Sequence, residues 1–388
     1  MMKISTMKWI DRWVGYPACA LLRFFSLFKK DTPPSKVKRV LVIKFWGMGS
    51  LILSLPVFQT LKKVYPDAIV GFATLKRNQQ VVEMLSIADQ TIYLDLKAGA
   101  IKIFWRILRF FVQLHRFQAD VVIDLEYLTR FSALASYFSG AKIRVGFHSW
   151  DVWRGGLHNI RVPFNPYWHA SKNFFNLVAH SAKGEFEFSF NFTLPEDKWA
   201  KKRLKDKLEQ EGISLQDEII VINPNASTIA LERRWPREHF ISLINMILKQ
   251  GLGKVVLIGA DDEREFVRSI TNQIDDKTNC ISLAGKLELK ELVELLRGAK
   301  LLITNDSGPL HLASLVGTKT VSFFGPETPV LFGPIGKGHI VLYLGIDCSP
   351  CITVYNAKTV RCFRSQPECL SKISPEMAFQ AVKQALGK

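Results

Sequence analysis

Acidic side chains are scarce in this sequence relative to basic ones. Its 388 residues include 35 Asp and Glu against 52 Lys and Arg, which gives a formal net charge of +17. Such an excess of positive charge indicates an anionic partner: a phosphorylated substrate, an acidic membrane surface or nucleic acid. The sequence contains no recognisable nucleic-acid-binding module, so we expect no nucleic-acid partner.

Cysteine is also scarce, and its distribution is uneven. Cys19 and Cys280 are isolated, and the other four cysteines crowd near the C-terminus. This is not the disulfide framework of a small secreted domain. We therefore expect a reducing, cytoplasmic compartment.

A long uninterrupted apolar run is missing near the N-terminus. The apolar segment there reads "MKWIDRWVGYPACALLRFFSLFKK" (7–30) and is broken by Asp11, Pro17 and Arg23, whereas a spanning helix needs about 20 consecutive apolar residues. The pattern fits an amphipathic anchor in the plane of a membrane, or a helix packed on the protein's own surface.

A second amphipathic segment reads "IKIFWRILRFFVQLHRFQ" (101–118). It places four basic residues on one face of a helix, namely Lys102, Arg106, Arg109 and Arg116. Two interpretations stay open: a helix that covers a sheet and has a basic solvent face, or a surface that faces phospholipid.

The rest of the chain repeats an α/β pattern. Continuous apolar runs of buried-strand length lie at 37–45, 68–74, 90–96, 119–125 and 143–147, and a second series lies at 218–224, 254–259, 280–285, 300–306 and 320–326. Helical patterns separate most of them, which predicts parallel sheets covered on both faces. We expect two doubly wound, Rossmann-like domains facing across a cleft, with ligands at the carboxyl ends of the strands.

These patterns also predict the domain boundaries. We expect an amphipathic N-terminal extension (1–36), an N-terminal domain that holds the acceptor (37–185), and a linker with a charged connecting helix (186–217). A C-terminal domain that holds the donor (218–345) and a cysteine-containing tail (346–388) follow.

The most informative motif reads "ITNDSGPLHLASLVGTKTVSFFGPETP" (303–329). A strand ends near Asp306, and Ser307 and Gly308 turn the chain into a helix whose free N–H groups are suited to a phosphate. His311 lies in the first turn of that helix. The loop after the next strand contributes Gly325, which permits close backbone approach, and the Thr328 hydroxyl.

Two further strand-to-helix loops supply candidate ligands. In "INPNASTIALERRWPREHF" (222–240), Ser227 and Thr228 offer hydroxyls, and Arg233 or Arg234 suits a diphosphate. In "LIGADDEREF" (257–266), the carboxylates accept hydrogen bonds from a ribose or simply enrich the first turn of a helix in acid, and the candidates are Asp261 and Glu263.

Four stretches together resemble glycosyltransferase family 9, the heptosyltransferases, over roughly residues 37 to 345. They read "VLVIKFWGMGSLILSLP", "VVIDLEYLTRFSALASYFSGAKIRVGF", "INPNAST…RRWP" and "TNDSGPLHLASLVGTKTVSFFGPETP". The resemblance implies a GT-B fold and transfer of heptose from ADP-heptose to the lipopolysaccharide inner core. It also implies inversion at the anomeric carbon, with no cofactor or metal ion required for catalysis.

The resemblance also implies roles for individual residues. In the donor site, the residues expected to hold the pyrophosphate and the sugar are Asp306, Ser307, Gly308 and His311. Arg233 takes the place of a residue that contacts phosphate, and Asp261 and Glu263 lie where an acidic residue holds the ribose. Lys44 matches the lysine that closes the first strand, and Gly49 matches the glycine of the first loop. Gly47 lies in the same loop, and we expect both glycines to make room for the substrates.

The first loop departs from the family pattern. Members typically read Leu-Gly-Asp, and that aspartate is the expected base, but this chain has Met48, Gly49 and Ser50. A serine hydroxyl does not accept the proton at neutral pH unless another base activates it. Glu126, which follows the strand that contains Asp124, is our candidate substitute base, and Asp124 itself is a candidate turn cap.

The C-terminal tail contains a CxxC pair followed by two more cysteines, namely Cys348, Cys351, Cys362 and Cys369. The set is compatible with a structural zinc site, although the second pair lacks CxxC spacing. Four unligated or paired thiols are the alternative.

Together the residues and the resemblance predict an inverting glycosyltransferase at the cytoplasmic face of the inner membrane. It would move a heptose from an ADP-sugar to a phosphorylated acceptor of the lipid A and core type. Two other classes stay open: a nucleotide-sugar or lipopolysaccharide-precursor binding protein without turnover, which the loss of the aspartate at Ser50 suggests, and a nucleic-acid binder, which charge alone suggests.

Overall fold

The computed structural model describes residues 4–28, 32–127, 129–149, 152–227, 230–356 and 361–388. The chain divides into two compact units, Met1–Asn191 and Phe192–Lys388, which we call the N-terminal and C-terminal units. Their boundary lies inside the segment predicted as a linker.

The N-terminal unit is a parallel sheet with helices. Its strands are β1 (Arg39–Ile43), β2 (Ile69–Leu75), β3 (Gln90–Leu94), β4 (Val121–Asp124), β5 (Ile143–His148) and β6 (Ile160–Pro163). Its helices are α1 (Ile4–Trp13), α2 (Gly15–Ser26), α3 (Met48–Leu53), α4 (Leu55–Val64), α5 (Gln79–Leu85), α6 (Ala100–Arg116), α7 (Arg130–Phe138) and α8 (Ala170–Ala179).

The C-terminal unit repeats this arrangement. Its strands are β7 (Ile219–Asn223), β8 (Lys254–Leu257), β9 (Cys280–Ser282), β10 (Leu301–Asn305), β11 (Thr320–Phe324) and β12 (His339–Tyr343). Its helices are α9 (Lys198–Gln210), α10 (Arg237–Lys249), α11 (Arg264–Thr271), α12 (Leu289–Gly298), α13 (Gly308–Val316), α14 (Pro329–Phe332), α15 (Glu368–Ser371) and α16 (Pro375–Leu386).

The two sheets share one strand order. The first runs β3-β2-β1-β4-β5-β6 and the second runs β12-β11-β10-β7-β8-β9, with every neighbouring pair parallel. Counted from the first strand of each unit, both follow the Rossmann order 3-2-1-4-5-6. The order reverses between β1 and β4 and between β7 and β10, and ligands of such folds bind at that switch point. The predicted doubly wound domains are confirmed.

Two strands were not predicted, and both lie at an edge of a sheet. β6 alternates between buried and exposed positions, and every residue of β12 is half-buried. β6 has no continuous apolar run, because Arg161 and Pro163 are two of its four residues. β12 does lie in such a run, at 340–344, so the signal that identified the other ten strands was present there and was not used.

The N-terminal extension packs on the N-terminal unit through α7. The Asp11 carboxylate of α1 accepts hydrogen bonds from the backbone N–H groups of Arg130 (3.2 Å) and Phe131 (2.9 Å), which open α7. Cys19 of α2 is fully buried beside Ala133 and Leu157. None of the helices in the described part of the chain has the length and apolarity needed to cross a membrane.

Candidate functional site

The loop that follows β1 makes a sharp turn at Gly47. Its φ of +83° lies in the left-handed region, and a Cβ there would sit 3.3 Å from the Ser50 Oγ. Glycine avoids both the strain and the contact. The chain then enters α3, which contains Gly49 and Ser50, both half-buried.

A single carboxylate oxygen holds this loop. The Oε1 atom of Glu126, just beyond β4, lies 3.0 Å from the Lys44 Nζ and accepts hydrogen bonds from the N–H groups of Phe45 (2.5 Å) and Trp46 (3.0 Å). The Lys44 and Glu126 side chains are only 1% and 3% exposed. Glu126 therefore ties the end of β4 to the loop after β1, across the switch point.

Asp124, the last residue of β4, accepts hydrogen bonds from the backbone of Glu126 and from side chains that lie further along the chain. Its Oδ1 accepts a hydrogen bond from the Glu126 N–H (3.0 Å), and its Oδ2 accepts from the Ser132 hydroxyl (2.8 Å) and the Arg154 guanidinium (3.1 Å). The Nε2 atom of His158 lies 3.1 Å from the same Oδ2. Asp124 thus caps the turn that presents Glu126 and also fixes Arg154.

Charges around Asp124 decide its protonation. Burial acts to raise the pKa of Asp124, but the hydrogen bond from His158 and the charge of Arg154 outweigh it and hold that pKa below its usual value. Burial and the Arg154 charge lower the pKa of His158, against the attraction of Asp124. Asp124 is therefore an ionised carboxylate paired with Arg154, and the His158 imidazole beside it is neutral.

Sequence reasoning missed two arginines in this unit. Arg154 lies 30 positions from Asp124, in a segment without a recognisable motif. Arg77 follows β2, and its guanidinium lies 4.7 Å from the centroid of the Trp46 ring in the first loop. Arg77 could have been found from the sequence, because it is a basic residue that follows the end of a predicted strand.

Three of the predicted donor residues, Arg233, Asp306 and Ser307, lie at the switch point of the C-terminal unit. The Arg233 Nη1 lies 3.0 Å from the Asp306 Oδ2, and both side chains are mostly buried. Asn223, the last residue of β7, donates hydrogen bonds to the hydroxyls of Thr304 (3.1 Å) and Ser307 (3.0 Å). The ends of β7 and β10 are thereby joined by polar contacts.

Asn305, which the sequence did not single out, organises the loop that contains Arg233. Its Oδ1 accepts a hydrogen bond from the Trp235 N–H (2.9 Å), and its Nδ2 donates to the carbonyls of Pro224 (3.0 Å) and Asn225 (3.1 Å). The Trp235 ring is fully buried and stacks on Phe323 with a centroid distance of 4.2 Å. These contacts fix the loop on both sides of Arg233.

Helix α13 begins immediately after this cluster. Ser307 is its extended N-cap residue, and Pro309 lies in the first turn, where its missing N–H costs nothing. The free N–H groups of that turn, with the helix dipole behind them, attract an anion. His311 lies in the same first turn and is buried.

The other donor candidates differ in their surroundings. The Asp261 side chain is 83% exposed and pairs with Arg264 at 2.9 Å. Glu263 accepts a hydrogen bond from the Ala260 N–H (2.8 Å), and burial raises its pKa. Arg234 lies 4.2 Å from the centroid of the Phe266 ring, so its neighbour Arg233 is the arginine placed at Asp306.

The remaining candidates are less closely associated with this cluster. Ser227 is exposed, and Thr228 lies outside the described residues. The Thr328 hydroxyl caps α14 by accepting from the Val330 N–H (3.2 Å). At Gly325 the close neighbour is the chain's own tail, because a Cβ there would lie 2.8 Å from the Cys369 Sγ.

The four C-terminal cysteines line one cavity of about 70 Å³ together with Glu232, Pro326, Arg361, Phe363, Arg364, Pro367 and Glu368. Their thiols are free of disulfides. In the described ranges no three His, Cys, Asp or Glu side chains are arranged to hold a metal ion. A structural zinc at these thiols stays a prediction.

Comparisons with known proteins agree with this architecture. The family model described as "Glycosyltransferase family 9 (heptosyltransferase)" matches residues 107–359. Lipopolysaccharide heptosyltransferase 2 of Escherichia coli K12 is 24% identical over 314 residues, which cover 79% of this chain and 88% of that protein.

Solved structures share the fold at low sequence identity. A glycosyl transferase family 9 structure from Veillonella parvula has a TM-score of 0.73 at 24% identity and covers 92% of this chain and 99% of its own. The E. coli heptosyltransferase WaaC, solved with ADP-2-deoxy-2-fluoro heptose, has a TM-score of 0.63 at 19% identity. The match covers 89% of this chain and 99% of the WaaC chain. The GT-B fold class, with two Rossmann-like domains, is thereby confirmed. Since the family model matches more than half of the chain, this chain belongs to glycosyltransferase family 9, the heptosyltransferases, and is a glycosyltransferase.

Proposed function

We propose that this chain transfers a heptose from ADP-heptose to an acceptor of the lipopolysaccharide-core type, with inversion and without an essential metal ion or cofactor. The observation that carries the proposal is the Arg233–Asp306 pair, held at 3.0 Å beside the first turn of α13. The names of the relatives support heptose as the sugar, and the nucleotide in the WaaC structure supports ADP as the carrier.

In the proposed reaction the acceptor hydroxyl attacks the anomeric carbon from the face opposite the leaving group. A bond forms from the acceptor oxygen to that carbon, and the bond from the carbon to the diphosphate oxygen breaks. ADP leaves with the electron pair of that bond. Arg233 and the N–H groups at the start of α13 would stabilise the charge that develops on the diphosphate.

The proton of the acceptor hydroxyl needs a base, and Ser50 cannot serve at neutral pH. We propose Glu126, whose carboxylate lies at the switch point of the N-terminal unit. Three N–H donors occupy its Oε1, which leaves Oε2 as the oxygen to receive the proton. Ser50, on α3 beside the same loop, would donate a hydrogen bond to the acceptor.

The donor is tested by calorimetric titration with ADP, ADP-heptose and UDP-glucose. We expect selective binding of the ADP compounds, and Arg233→Ala should weaken ADP binding roughly tenfold or more, because a charge-assisted hydrogen bond contributes about 1.5–3 kcal/mol. Arg237→Ala is the matched control, since Arg237 pairs with exposed Glu238 on α10. Absence of nucleotide binding would refute the donor assignment.

The base is tested by turnover on a lipopolysaccharide-core acceptor. Glu126→Gln keeps an oxygen for the loop amides but cannot take up a proton, so we expect about a 10²–10⁴-fold lower kcat with ADP affinity retained. Glu83→Gln, at an exposed position of α5, is the control. Unchanged turnover in Glu126→Gln would remove Glu126 as the base. Selective ADP binding with no turnover on any core acceptor would favour the binding-protein alternative.

Because the proposed acceptor is lipid-linked, the proposed location is peripheral, at the cytoplasmic face of the inner membrane. The excess positive charge of the chain is compatible with an anionic membrane and with a phosphorylated acceptor.

A further inference from the structure

Exposed apolar side chains are concentrated on one part of the N-terminal unit. Among the described residues, more than half of the large apolar side chains exposed to solvent lie in residues 9–28, in α6 and at the end of α7. Aromatic and aliphatic side chains of this set reach high exposure: Ile101 is 78% exposed, Phe28 76% and Trp105 64%. Patches of this kind mark an interaction surface.

Helix α6 has more apolar side chains than its contact with the rest of the unit requires. Its buried side chains are Ile103, Phe110 and Leu114, which form a narrow stripe against the unit. Apolar side chains also continue outside that stripe, at Phe104 and Trp105, where both are more than half exposed. A helix that only covers a sheet has polar residues at those positions.

Helix α7 connects α6 to the N-terminal extension. On one side, Leu22 of α2 and Tyr137 of α7 pack on the same small apolar cluster around Cys19. On the other side, the rings of Phe111 in α6 and Phe138 in α7 lie 5.0 Å apart. Since Tyr137 and Phe138 are themselves in ring contact at 6.0 Å, apolar packing is continuous from α2 through α7 to α6, and these contacts hold the exposed side chains of α2 and α6 on neighbouring parts of the unit.

Basic side chains outnumber acidic ones on this surface. Helices α2 and α6 contain no Asp or Glu, and Asp11 of α1 is turned towards the start of α7 by its hydrogen bonds there. Arg106 is paired with Asp95 at 2.8 Å. The exposed basic residues are Arg12, Arg23, Lys102, Arg109 and Arg116.

We propose that residues 9–28, α6 and Phe138 form a single bilayer-docking face, specific for anionic phospholipid. Exposed Trp and Phe side chains beside basic residues suit the boundary between acyl chains and headgroups. The helices would lie in the plane of that boundary, since none in the described residues can span a membrane. The inference deepens the membrane location proposed above and rests on it, but it can be measured without turnover.

The test is flotation of the full chain with phosphatidylcholine vesicles, with and without phosphatidylglycerol. We expect binding only to the vesicles with phosphatidylglycerol, and weakening at high salt. Phe104→Ser combined with Trp105→Ser should reduce the apparent affinity at least tenfold. Trp199→Ser is the matched control, because Trp199 is 74% exposed on α9 of the other unit and should change nothing.

The charge requirement is tested in the same assay. Arg109→Glu should weaken binding to the anionic vesicles several-fold, whereas Lys202→Glu, also exposed but on α9, should not. Hydrogen exchange of the β1 and β4 peptides that matches the wild type in each variant of α6 shows that the N-terminal unit is folded.

Three results would overturn the inference. The first is a wild-type chain that does not float with anionic vesicles. The second is a Phe104→Ser, Trp105→Ser variant that floats as well as Trp199→Ser. The third is a stable dimer in sedimentation that this double variant dissociates, without vesicle binding, which would make a second copy the occupant. Vesicle binding without turnover on any core acceptor would support the docking face and count against the proposed reaction alone.

Discussion

The buried ion pair between Lys44 and Glu126 allows a quantitative test of how the first loop is held. Lys44→Met keeps an unbranched side chain one atom shorter and removes the only cation within 4 Å of Glu126 among the ion pairs of the described residues. Removing one partner of a buried pair costs about 3–5 kcal/mol. The N–H groups of Phe45 and Trp46 still bond to the carboxylate. We therefore expect a loss of stability at the lower limit of this range, about 3 kcal/mol, which raises the equilibrium constant for opening of the unit roughly 150-fold.

Adding Glu126→Gln should recover most of this loss. Glutamine keeps an oxygen for the two backbone N–H groups and removes the uncompensated charge, and neutral replacements of buried ion pairs are often tolerated. Hydrogen exchange followed by mass spectrometry on peptides from β1 and β4 measures the opening of this unit alone. Lys36→Met is the control, because its pair with Asp67 is exposed and should contribute about 0–1 kcal/mol.

Two results would refute this reasoning. One is a Lys44→Met variant whose β1 and β4 peptides exchange as slowly as those of Lys36→Met. The other is a double variant that loses the sum of the two single losses, because the pair would then contribute no coupling energy.

Three further predictions follow from buried groups. Gly325→Ala should lower the stability of the C-terminal unit by about 1–3 kcal/mol in thermal unfolding, because its methyl group would press on the Cys369 Sγ, whereas Gly298→Ala, which meets nothing within 4 Å, should not. Burial raises the pKa of the Cys369 thiol to about 11, so its alkylation should be slow at pH 7 and become faster as the pH approaches that pKa. If zinc is bound instead, the thiol should be protected from alkylation until a chelator is added. Asp124 has a pKa below its usual value in the folded chain, so its contribution to stability is present above about pH 4 and disappears as the pH falls through the folded-state pKa. Asp124→Asn should flatten that acid limb of the stability profile, and an unchanged limb would contradict the assignment.

The sequence predicted the central strands because burial on both faces requires continuous apolar runs, as in β1 and β10. It did not predict β6, where Arg161 and Pro163 interrupt the apolar pattern, and it missed β12 although residues 340–344 form a continuous apolar run. The donor loops were predicted from their turn residues and basic residues. The part played by Asn305 was not predicted, because an amide at the end of a strand resembles any turn residue until its three backbone partners are known.

What the sequence determined by itself is the set of local features: which runs form buried strands, where Gly47 turns the chain, where α13 begins, and the sign of the net charge. These features depend on neighbouring residues and on side-chain type. The tertiary structure alone decided which distant groups meet. Arg233 rather than Arg234 pairs with Asp306 across 73 positions, and Lys44 meets Glu126 across 82. Such pairs depend on strand order and register, which bring remote residues to one end of a sheet and which local periodicity does not encode.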